Sequence, residues 1–91
     1  MLPLIWHDDA LDDLEAIVDF IETHNPVAAR RIGNAIRDTA ERLPDHPYTY
    51  RPGRIPGTRE ALITPNYILV YRVTDAIEVL LAVLHTRQQY P

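Results

Sequence analysis

Three apolar runs crowd the second half of the chain: REALI (59–63), YILVYRV (67–73) and IEVLLAVLH (77–85). Only TPN and TDA separate them. The runs are rich in β-branched and aromatic residues, so each reads as a strand. A parallel pair needs a crossover of a dozen or more residues, so three-residue links permit only antiparallel neighbours. The second half is therefore a meander, and whatever packs on it must come from the first half. There, LPLIW (2–6) is a short apolar run that reads as a further strand. Its Pro3 cannot donate to a ladder and favours an edge position.

HDDALDDLEAIVDFIETH follows, with Leu11, Leu14, Val18 and Ile21, joined by Ala10 and Ile17, recurring at three- and four-residue steps. This predicts a helix, with Asp8 or Asp9 as its cap and the early acids favouring the positive end of its dipole. Asn25-Pro26 then starts a second helix, Asn as N-cap and Pro at the first helical position. Ala29, Ile32, Ile36, Ala40 and Leu43 share one face, and Pro44 and Pro47 end it. Gly33 costs about 1 kcal/mol of helix propensity relative to alanine, and its small size lets the two helices approach closely. So short a link makes the pair an antiparallel hairpin. The expected fold is α+β, in the order β-α-α-β-β-β, with the hairpin on one face of a small, mainly antiparallel sheet. Residues 1–91 form one domain.

The composition, 46% hydrophobic and 24% charged, is that of a globular chain and excludes disorder. Without cysteine there is no disulfide framework and no thiolate chemistry. MLPLIWHDD has neither the basic start nor the apolar run of a signal peptide, and no stretch spans a bilayer. A cytoplasmic location with no membrane partner is expected. The net charge of −4 is unevenly spread. Residues 1–45 carry ten acids and four arginines, net −6, and residues 46–91 carry three acids and five arginines, net +2. Every basic residue is arginine, so a lysine general base is excluded.

The last strand has apolar residues on both sides. Strict alternation sets Ile77, Val79, Leu81 and Val83 against Leu80, Ala82 and Leu84, and the preceding strand sets Ile68 and Val70 against Tyr67, Leu69, Tyr71 and Val73. Two helices cover one face of such a sheet, so a second chain is expected on the other. The competing expectation is internal cover by sheet curvature and the Pro-rich 44–58 segment.

This apolar strand ends in His85, Arg87 and Tyr90. Either it runs out into solvent, or those groups line a site. At this point the ordered set HPYTYRPGRIPGTRE, PNYILVYRV and EVLLAVLHTRQQYP, behind LPLIWHDDALDDL, resembles the RelE/ParE superfamily of bacterial type II toxin–antitoxin toxins. The resemblance covers the whole chain and leans to the ParE-type branch. It implies a toxin held inactive by an antitoxin whose extended C-terminal segment wraps it. The ParE-like target is DNA gyrase, with no catalysis by the toxin. The RelE-like alternative is a ribosome-dependent mRNA endonuclease, and a third reading is a non-toxic binding module that keeps the fold. No small-molecule substrate and no cofactor are implied.

Under the endonuclease alternative the catalytic set is His85, Arg59, Arg87 and Tyr90. Histidine serves as base or acid, the guanidiniums hold phosphate, and the tyrosine stacks or donates a proton. RelE itself carries lysines after its second helix, where this chain has Tyr50, Arg51 and Arg54, and a net negative charge opposes entry into an rRNA-lined site. Each group also has a structural use. A strand-end histidine is more often a rim residue, Arg59 more often half of a cross-strand ion pair, and Arg72 is expected to bridge to Glu78. Trp6 reads as a core plug, and Tyr48, Tyr50, Tyr67 and Tyr71 as core or rim aromatics with wetted hydroxyls. His7, His24, His46 and His85 show no metal-ligand spacing, so no metal is expected.

Overall fold

The computed structural model describes residues 2–84. Strand β1 (Leu4–Trp6) leads into helices α1 (Asp8–Glu22) and α2 (Pro26–Arg42), then β2 (Arg51–Pro52), β3 (Arg59–Thr64), β4 (Tyr67–Val73) and β5 (Ile77–Leu84). The five strands form one sheet in the order β1-β5-β4-β3-β2. β1 lies at an edge, parallel to β5, and the other neighbours are antiparallel. The expected order holds, with one addition: the two residues of β2 lie in the stretch read as turns and pair with Arg59 and Glu60 of β3.

Local chemistry sets the helix ends. The Asn25 side chain accepts a hydrogen bond from Ala28 N (3.0 Å), so α2 starts as its sequence dictates. α1 differs: Asp8 and Asp9 lie in its first turn, and the cap position falls to His7, whose side chain makes no capping bond. The two acids act through the helix dipole instead. Between the helices, a Cβ added at Gly33 would meet Val18 Cγ2 at 3.1 Å, so glycine does allow the close approach. Leu11 is a departure. It sits on the edge of the predicted stripe and is 47% exposed, while Ala10 and Leu14 go inside.

The main core lies between the hairpin and one face of the sheet. Ala10, Leu14, Ile36, Ala40 and Leu43 meet Ala61, Leu69, Tyr71, Ile77, Val79 and Ala82, with Trp6 packed at the side. Strict alternation fails along β5. Val70 pairs with Leu81 but Tyr71 pairs with Val79, leaving Leu80 as an extra residue, a β-bulge. The bulge reverses the phase. Ala82 joins the helix-side core, and Leu81 turns to the opposite face beside Ile68 and Val70. Periodicity alone places Leu81 with Ile77 and Val79, because no turn residue announces the bulge.

β1 ends at Trp6, and His7 N donates the last bond from that side to Val79 O (2.9 Å). Beyond it, the Ala82 amide donates to Asp13 Oδ2 of α1 (3.1 Å). A helix carboxylate thus meets an edge N–H that no strand reaches.

The second face is covered in part by the chain itself. Ile68 and Val70 are buried there against Ile55 of the 53–58 loop, while Leu62 and Ile5 remain about half exposed. The Pro-rich segment supplies cover, as the competing expectation had it, so the apolar second face is not by itself a sign of a partner.

Candidate functional site

One row of residues crosses the whole sheet: Trp6, Val79, Tyr71, Arg59 and Pro52. Its central member, Tyr71, is fully buried. Its hydroxyl donates to Pro47 O (2.8 Å), and its ring meets that of Tyr50 edge-on, with centroids 6.4 Å apart. Tyr71 thereby ties the segment after α2 to the sheet. Burial pushes its phenol above the ordinary value, against the opposing pull of the Arg59 charge. It remains a neutral donor rather than a base.

The next member of the row is Arg59. Its Nη1 donates to Tyr50 O (2.7 Å), and its guanidinium carbon lies 5.0 Å from the centroid of the Tyr48 ring, a cation–π contact. Its approach to Tyr48 O, 3.5 Å, is too long for a firm bond. The expected cross-strand ion pair is absent. Arg59 faces Pro52 on one side and Tyr71 on the other, and among the described residues no carboxylate meets it.

The adjacent Glu60 makes the cross-strand pair instead. Its carboxylate, nearly fully buried, accepts from Arg51 Nε (3.1 Å) and Nη2 (2.9 Å) and from the Arg54 amide (3.2 Å). The turn between them is fixed by Gly53 N donating to Thr58 O (2.8 Å) and Thr58 Oγ1 donating to Ile55 O (2.6 Å). A Cβ at Gly53 would collide with Thr58 Oγ1. Gly57, at φ +83°, occupies the left-handed region that glycine enters without cost. The signal for this pairing was in RPGRIPGTRE, where two Pro-Gly turns bring Arg51 back to Glu60.

These elements enclose a cleft of about 310 Å³ lined by Tyr48, Pro52, Gly57, Thr58, Arg59 and Val73. Its walls are part apolar, from Pro52 and Val73, and part polar; among the described residues its cation is Arg59, and the Thr58 hydroxyl is already committed. The cleft can hold an anion. Among the described residues lining it there is no histidine and no carboxylate.

A second polar cluster lies on the opposite face. Glu78 accepts from Arg72 Nη2 (3.1 Å) and Nε (3.2 Å), and from Thr74 Oγ1 (3.0 Å), and lies 2.9 Å from His7 Nε2. The predicted Arg72–Glu78 bridge is present. Arg72 first, then His7 and Thr74, pull the Glu78 carboxyl down to about 2.

The other three candidate residues, His85, Arg87 and Tyr90, lie outside the described residues. The register fixes only where β5 ends: Leu84 pairs with Tyr67, whereas the row of Arg59 crosses β4 at Tyr71. Four residues of strand separate those rows, about 13 Å at 3.3 Å per residue.

The family model for the ParE toxin of the type II toxin–antitoxin system parDE matches residues 4–90. This chain belongs to the ParE toxin family. It is 38% identical over 87 residues to protein Y4kP of Sinorhizobium fredii, across 94% of this chain and 90% of that one. It is also 31% identical to toxin RelE2 of Caulobacter vibrioides, across 93% and 96%. Its fold is similar to that of a chain from the chromosomal ParDE system of P. aeruginosa, with a TM-score of 0.83 and 26% identity over 92% of this chain and 96% of that one. As a ParE-family toxin of a type II module, it has a cognate antitoxin as partner. No helix among the described residues is long and apolar enough to cross a membrane.

Proposed function

We propose that this ParE-family toxin acts in the cytoplasm by binding and poisoning DNA gyrase, and that its antitoxin neutralises it by occupying the same molecule. The observation that carries the reading is the Arg59 cleft, a fixed guanidinium on a tyrosine ring with no histidine or carboxylate among its described lining residues. Such a site is built for recognition. The match to the ParE family and the likeness to a ParDE chain support the same target class.

The RelE-like reading keeps one support, the 31% identity to toxin RelE2. Under it, His85 and Tyr90 would exchange protons while Arg59 and Arg87 hold the phosphate.

The two separate in vitro. Purified toxin added to gyrase and relaxed plasmid is expected to block supercoiling, and its induction in cells to bring DNA-damage signalling with filamentation. Gyrase that keeps working while ribosome-bound messages are cut would replace the reading with the endonuclease. His85→Ala and Tyr90→Ala would then abolish toxicity. Normal growth on induction would leave only the non-toxic binding module.

A further inference from the structure

The charges of the second half can be matched one against another. Glu60 takes Arg51 and the Arg54 amide, and Glu78 takes Arg72. Arg59 alone of these strand arginines meets no acid among the described residues. Its guanidinium is nevertheless not loose. Nη1 is fixed on Tyr50 O, and the plane is supported by the Tyr48 ring. This leaves the Nε–H and Nη2–H edge without a partner among the described residues, and those two parallel donors match the two oxygens of a carboxylate side-on.

The cleft decides which anion suits that edge. Pro52 and Val73 give it an apolar wall beside the guanidinium, and among the described residues lining it Arg59 is the one cation. A nucleic-acid backbone is held by several cations along a track, whereas the described residues lining this cleft supply Arg59 alone. One carboxylate with an aliphatic stem fits both the fork and the walls. Tyr48, 66% exposed, gives the same ligand an open aromatic flank.

We infer that the Arg59 cleft is a receptor for a single acidic side chain, an Asp or Glu carried by the antitoxin, bound side-on by Arg59 Nε and Nη2 with its stem against Pro52 and Val73. This rests on the toxin–antitoxin reading and deepens it. Arg59 is a contact that decides partner choice, and its rigid support lowers the ordering cost of binding.

The test is a double-mutant cycle on the purified toxin and the antitoxin encoded beside it, read by calorimetry. Arg59→Gln is expected to weaken the complex about tenfold to a hundredfold. Arg59→Lys, which keeps the charge but loses the fork, should also weaken it. One Asp or Glu of the antitoxin, changed to Asn or Gln, should cost little further in the Arg59→Gln background. Because Arg59 also holds Tyr50 O, circular dichroism and Tm are recorded for both variants, and the coupling to one acidic partner is an effect that general loosening of the fold cannot imitate.

Wild-type affinity retained in Arg59→Gln overturns the inference, as does a loss that couples to no acidic residue. A ¹⁵N shift of Arg59 Nε–H on adding a short DNA or RNA oligonucleotide, without one on adding acetate, would assign the cleft to phosphate and overturn it equally. Failure of the wild-type pair to bind at all would instead strike the toxin–antitoxin reading itself.

Discussion

The two faces of this sheet are built from the same strands but do different work. Toward the helices, Leu69, Tyr71, Ile77 and Val79 are fully buried in one continuous apolar core. On the other side a small apolar cluster of Ile68, Val70, Ile55 and Leu81 sits between two carboxylates, Glu60 and Glu78, each held by arginine. Apolar burial is non-directional and adds stability wherever it occurs. Charge-assisted bonds are directional, and these ones fix where a turn and an edge strand lie. The comparison assigns stability to the helix face and geometry to the other.

The sharpest way to break that assignment uses two leucines. Leu69 of β4 faces the helices and is wholly buried, while Leu62 of β3 faces the other way and is 51% exposed. Leu69→Ala is expected to cost about 2–5 kcal/mol, the transfer loss plus an unfilled cavity. Leu62→Ala should cost less than about 1 kcal/mol, since water already reaches the side chain. Urea denaturation gives both. Equal losses would mean that the second face carries as much of the core as the first.

A smaller effect sharpens the other half of the comparison. Glu60→Gln keeps the shape but removes the charge that Arg51 and the Arg54 amide address. The expected loss is about 1–3 kcal/mol. It should appear locally, as faster amide exchange over the 53–58 loop, with the helix-face core unchanged. Exchange that rises evenly over the whole sheet would show Glu60 to be a general stabiliser rather than the clasp of one turn.

How far the sequence carried this picture follows the same division. Periodicity and link length were enough for both helices, for β4 from Tyr67 to Val73, and for the antiparallel meander, because apolar spacing and three-residue links act through short-range sterics. Asn25 and the Arg72–Glu78 bridge were legible for the same reason. The Leu80 bulge was not, because an inserted residue of the same apolar character leaves the pattern unmarked. Nor was the Arg59 site. Its partners are the carbonyl of Tyr50 and the ring of Tyr48, nine and eleven positions away, and backbone acceptors carry no residue signature. Reading Arg59 as an ion-pair partner put the charge one residue from where the pairing lies.

The finest test of the comparison sets against each other two carboxyl groups whose pKa values are shifted in opposite directions. Glu78, on the second face, is pulled from an ordinary 4.5 to about 2 by Arg72, His7 and Thr74. Its folded-state value lies below its unfolded one, so its contribution is complete above about 4.5 and is lost as pH falls toward about 2. Asp13, on the helix side, is raised. Burial raises it most, the Ala82 amide lowers it, and Asp9 and Asp12 raise it further. Its folded state holds the proton more tightly than the unfolded chain does, so its contribution grows as pH falls through its folded-state value. Above that value the ionised form weighs against the fold. Glu78→Gln should therefore flatten the acid decline of Tm between pH 4.5 and 2, while Asp13→Asn should steepen the net decline by removing a term that opposes it. At pH 7 Asp13→Asn should leave Tm equal or higher, because an amide oxygen can still accept the Ala82 N–H without a charge to desolvate. A clear fall in Tm at pH 7 would mean that the charge-assisted bond outweighs desolvation, and that the helix face too depends on a fixed anion.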